Sequence, residues 1–220
     1  ISKYTRIEIW YDIIDMEEYK WKALRHFTMH YNKPFETLSS KVERCFKLTY
    51  NLLRSNKSFP LSMLCDFAQQ DEENTRKALD ALYDTTLPLR NRVEQFIIDT
   101  EEIFQNLKES GFSNWNEKAN VKSDQDTHAV SVYLFLRYPN RHYIYQLKIF
   151  RTFASKIDYT IQSHDKIDRL LEFYELANEV KTYLLKKSEF IQHYKSWLKK
   201  HGYIDPEYNL LTQDFIYAVA

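Results

Sequence analysis

Eight side chains between positions 137 and 151 are of types that can hold a polyanion: Arg137, Tyr138, Arg141, His142, Tyr143, Tyr145, Lys148 and Arg151. Guanidinium and ammonium groups neutralise phosphates, and exposed aromatic faces stack on bases for about 1–3 kcal/mol each. The surrounding stretch, 127 to 157, contains no Asp or Glu, yet it holds five Lys or Arg, two His and seven Tyr or Phe. The chain as a whole carries 31 basic and 31 acidic side chains and a formal net charge of zero. Any electrostatic preference must therefore come from a local bias of this kind. Three uses compete for the window. It could contact nucleic acid, it could form a surface for a protein partner, or it could bury Val132, Leu134 and Leu136 on one face and pack Tyr133, Phe135 and Arg137 against helices on the other.

Other residue groups point to chemistry less strongly. His26 and His30 stand four apart, a spacing that suits two metal ligands on a helix, but no Glu or third ligand accompanies them. Asp124, Asp126 and His128 (SDQDTH) alternate in a way that could hold a divalent cation on an extended segment. A nuclease would add carboxylates and a Lys on the next strand, and the downstream segment is acid-free. The chain has only two glycines, Gly111 and Gly202, so neither a Walker A loop nor a dinucleotide fingerprint can be built. A GxSxG nucleophile elbow is ruled out by the same count. Cys45 and Cys65 fit a reducing compartment and packing rather than a disulfide. The expectation is a chain with no catalytic residues, no cofactor and no metal of its own.

The elements that would position the window read as mainly α. Pro34 heads PFETLSSKVERCFKLTYNLL, with Leu38, Val42, Cys45, Leu48 and Leu52 at helical spacing. MEEYKWKALRHFTMHY forms a helix upstream of it. Pro60 starts a short helix, Asp71 caps EENTRKALDALYD, and Pro88 starts a helix that Gly111 ends. Residues 113 to 125 read as a polar loop. Ala129 to Tyr138 is rich in strand-forming Val, Tyr and Phe, and Pro139-Asn140 makes a turn. A short β-hairpin is thus expected near 129–145, with a buried helix as the competing reading. Helices resume from Lys148: KIFRTFASKI, then DKIDRLLEFYELANEVKTYLLK, then SEFIQHYKSWLKKHG with Ser188 as N-cap and Gly202 as its stop. The expected fold is a single helical domain over 1–220, with about eight helices, one hairpin and sub-structure at 1–112 and 126–220. A hydrophobic content of 44% with 28% charge argues against disorder. The sequence holds no apolar run near membrane length and its first residues are not those of a signal peptide, so a cytoplasmic setting is expected.

Three segments carry a family resemblance. AVSVYLFLRYPNRHYIYQLKIF, FPLSMLCDFAQQDEENTRKALDALYD and the closing YIDPEYNLLTQDFIYAVA together resemble the helical N-terminal region of McrB-like AAA+ ATPases, from about Trp21 onward. These are the motor subunits of modification-dependent restriction systems. The resemblance implies that the chain is the N-terminal fragment of a longer protein whose NTPase module follows it. It also implies a part in recognising DNA or in docking the motor to its nuclease partner or to itself. None of the family's binding residues can be carried over, and the chain is too helical for a β-rich pocket that receives a flipped base.

Overall fold

The segment richest in strand-forming residues folds as a helix. In a computed structural model of the chain, which describes residues 17–53, 59–112 and 122–220, Thr127–Arg137 is α-helical and no strand occurs among the described residues. Every side chain from Ala129 to Leu136 is buried there. A helix enclosed on all sides shows no polar stripe, and tertiary burial overrides the preference of Val and Tyr for strands. Asp126 starts this helix: its Oδ1 accepts the backbone N–H groups of His128 (2.9 Å) and Ala129 (3.0 Å). The expected hairpin is therefore absent, although the Pro139-Asn140 turn is present.

Eleven helices are described rather than eight. In chain order they are α1 (Glu18–Tyr31), α2 (Leu38–Cys45), α3 (Tyr50–Leu53), α4 (Pro60–Gln70), α5 (Glu72–Tyr83), α6 (Leu89–Glu109), α7 (Thr127–Arg137), α8 (Leu147–Lys156), α9 (Lys166–Leu185), α10 (Ser188–His201) and α11 (Asn209–Val219). The run after Pro34 splits into α2, capped by Thr37, and the single turn of α3; Leu48, between them, is exposed. Most of the expected polar loop, 113–121, lies outside the described residues. Other boundaries follow local chemistry. Asp71 caps α5, Asp165 caps α9, and Gly111 and Gly202 take positive φ values of 87° and 66° after α6 and α10. The N-cap of α10 is Lys187, with Ser188 as its first residue.

The chain forms two compact units: Lys22–Arg137, and Tyr138–Ala220 with residues 17–21. In the first, α5 packs on α6 and α4, α2 on α4, and α3 on α7. Tyr133 lies in its core, edge-on to Phe46 (5.3 Å) and Phe96 (6.0 Å), and its hydroxyl donates to Gln125 Oε1 at 2.8 Å. In the second unit, α11 packs on α8 and α9, and α9 on α10. The boundary between Arg137 and Tyr138 divides the acid-free window, so Arg137 belongs to the first unit and the other seven candidate residues to the second.

Candidate nucleic-acid interface

Helix α8 is amphipathic. Phe150, Phe153 and Ala154 are buried, while Lys148, Arg151, Ser155 and Lys156 are exposed on the opposite side. Spacings of three and four residues place these outward groups on one face, with Thr152 half-buried among them. Arg141 is exposed in the turn that leads toward α8; its N–H donates to Tyr138 O at 3.0 Å. Among the described residues, none of Arg141, Lys148, Arg151 and Lys156 forms an ion pair. These cations are bare because the segment supplies no acid at the i±3 and i±4 positions, where helical ion pairs form.

The aromatic members of the window take a different position. His142 is 4%, Tyr143 1% and Tyr145 3% exposed. Tyr143 donates its hydroxyl to Asn178 Oδ1 (2.8 Å), and its carbonyl accepts the Tyr174 hydroxyl (2.9 Å). Burial pushes the Tyr143 phenol above its ordinary pKa. Tyr145 packs against Phe150 and Phe173, and His142 against Tyr174 and Tyr138. Three of the four rings expected to stack on bases thus form core of the second unit. The cause lies at Ile144, between them. Gln213 of α11 accepts the Ile144 N–H through Oε1 (2.8 Å) and donates Nε2 to the Ile144 carbonyl (3.0 Å). One side-chain amide meets both backbone groups of an extended segment, as a neighbouring strand would, and holds the segment inside.

In the first unit, Arg137 is half-buried, with its guanidinium 4.5 Å from the centroid of the Tyr31 ring. In the second, Tyr138 is half-buried. The exposed part of the expected site is therefore Arg141, Lys148 and Arg151. Lys156 extends the same face; it was legible as part of the acid-free run, although it lies five residues beyond Arg151.

The other chemical candidates are used structurally. Asp124 Oδ2 accepts the Phe59 N–H (2.9 Å), Asp126 caps α7, and His128 Nε2 lies 2.8 Å from Leu52 O. His26 Nε2 lies 2.8 Å from Arg44 O, His30 Nδ1 lies 2.8 Å from His26 O, and the two ring centroids lie 4.2 Å apart with the planes tilted by 31°. Both cysteines are free; burial raises both thiols, that of Cys65 to about 12, which makes them poor nucleophiles. No helix among the described residues is long and apolar enough to cross a membrane.

No protein-family model, no curated protein and no solved structure matches this chain.

Proposed function

We propose that the chain is a non-catalytic N-terminal module of a restriction-type AAA+ NTPase, and that it contacts DNA through Arg141, Lys148 and Arg151. One observation carries the DNA contact: three exposed cations, without carboxylate partners among the described residues, stand at and beside one face of α8. The assignment to the motor family draws on the three resembling segments alone. With His142, Tyr143 and Tyr145 turned inward and Tyr138 half-buried, the surface offers mainly charge and hydroxyls and little ring face for stacking. It therefore reads the phosphate backbone and not the bases. Three phosphate contacts give a slope of about −3 for log affinity against log salt on duplex DNA.

A second reading, a docking module for the nuclease partner or for the motor itself, draws on Leu48 and Tyr50. These flank the start of α3 and are 46% and 56% exposed. Fluorescence anisotropy with labelled duplexes of unrelated sequence separates the two readings. The DNA reading requires affinities that are alike across sequences and fall steeply with salt. Absent or salt-independent binding favours the docking reading.

A further inference from the structure

The first unit contains a cavity of about 50 Å³ between α2, α5 and the end of α1. Its inner lining is apolar and includes Val42, Cys45, Phe46 and Leu79, all buried. Its charged lining residues are Lys41, which is half-buried, and Arg76 and Asp80, which are exposed, so the charges stand at the mouth. Their pairing is incomplete. Arg76 and Asp80 lie one turn apart on α5, a spacing that usually permits an ion pair, yet Arg76 pairs with Glu72 on the preceding turn. Asp80 is left without a cation among the described residues. Lys41 has no carboxylate there either; its ammonium lies 4.2 Å from the centroid of the Tyr31 ring. A cation and an anion thus flank one apolar recess without neutralising each other.

We propose that this recess binds a small aliphatic α-amino acid. The α-carboxylate meets Lys41, the α-ammonium meets Asp80, and the side chain enters the apolar floor. The volume sets the size of that side chain. A cavity of about 150 Å³ accommodates benzene, so one a third as large suits an isopropyl group and excludes an aromatic ring. Each charge adds a charge-assisted hydrogen bond that fixes the orientation of the ligand, and an analogue without it loses that bond.

The test is a titration of the full-length ¹⁵N-labelled chain with L-valine, followed through the backbone amide resonances of Lys41, Cys45, Leu79 and Asp80. Saturable shifts at these amides are expected. Two analogues each lack one charge: 3-methylbutanoate, without the ammonium, and 2-methylpropylamine, without the carboxylate. Each is expected to bind at least about tenfold more weakly, the change equivalent to about 1.4 kcal/mol. Asp80→Asn and Lys41→Met, both at solvent-accessible positions, are expected to weaken valine binding by a similar factor. The analogue series uses unmodified protein and stands if either variant fails to fold. No saturable shift with valine, equal binding of either analogue, or unchanged valine binding in well-folded Asp80→Asn would overturn the proposal.

Discussion

Lys20 Nζ lies 3.0 Å from Asp214 Oδ1, and neither side chain reaches solvent. Both belong to the second unit, where the pair ties the first turn of α1 to α11. Glu17 adds a second carboxylate at 2.6 Å from the same ammonium, and the Tyr217 ring lies 3.9 Å from it. A buried lysine is tolerable only with such compensation, since an isolated ammonium in a core costs several kcal/mol to desolvate.

Removal of the lysine alone should therefore cost more than removal of both partners. Lys20→Met alone is expected to destabilise the second unit by about 3–5 kcal/mol, because it leaves the buried Asp214 without its cation, whereas Asp214→Leu costs less because Lys20 keeps Glu17. The double variant is expected to recover a substantial part of the Lys20→Met loss. Urea unfolding of the three variants measures this, and a double variant as unstable as the sum of the singles contradicts it.

Burial raises Asp214 from its ordinary value to about 6, against the opposing pull of Lys20. The folded chain thus keeps a proton that the unfolded chain has already released. This contribution to stability falls as pH rises from about 4 to 6 and is constant above. Asp205 is raised in the same direction by burial, so wild-type stability alone does not isolate the effect. The unfolding free energy of wild type minus that of Asp214→Asn should shrink between about pH 4 and 6 and then level off. A difference that grows with pH would contradict the assigned direction.

Gln213 should matter more than its type suggests. Gln213→Leu leaves the buried N–H and C=O of Ile144 without their partner, at about 1–3 kcal/mol for each group. Denaturant unfolding is expected to show a loss of a few kcal/mol, along with faster amide hydrogen exchange at Ile144.

Tyr143→Phe removes only the hydroxyl that donates to Asn178 and is expected to cost about 1 kcal/mol of stability. Its affinity for DNA should equal that of wild type, since the ring is buried. A loss of DNA affinity in this variant, with the fold intact, would mean that the ring reaches the ligand.

Legibility in the sequence followed how local the determining contacts are. Helix α9 could be read directly: Leu170, Tyr174, Ala177, Val180 and Leu184 recur at helical spacing and are all buried, and Asp165 marks the start. Helix α7 could not. Its strand-forming residues are buried all round, so the periodicity that would have revealed a helix is missing. The inward turn of Tyr143 and Tyr145 depends on Gln213, 69 positions from Ile144, and nothing in the local pattern indicates it. The same holds for Lys20, which reads as a surface residue until Asp214 is placed beside it. That Arg141, Lys148 and Arg151 form no ion pair among the described residues was legible because an absence of nearby acids is itself a local signal.

The most direct test of the DNA contact compares salt dependence in two variants of the full chain. One is Arg141→Ala/Lys148→Ala/Arg151→Ala; the other is Lys199→Ala/Lys200→Ala, which removes two exposed lysines at the end of α10. For duplex DNA, each lost phosphate contact lowers the magnitude of the salt slope by about 1. The account predicts that the triple variant binds weakly with a slope near zero, while the double variant keeps the wild-type affinity and slope. An unchanged affinity and slope in the triple variant would contradict it.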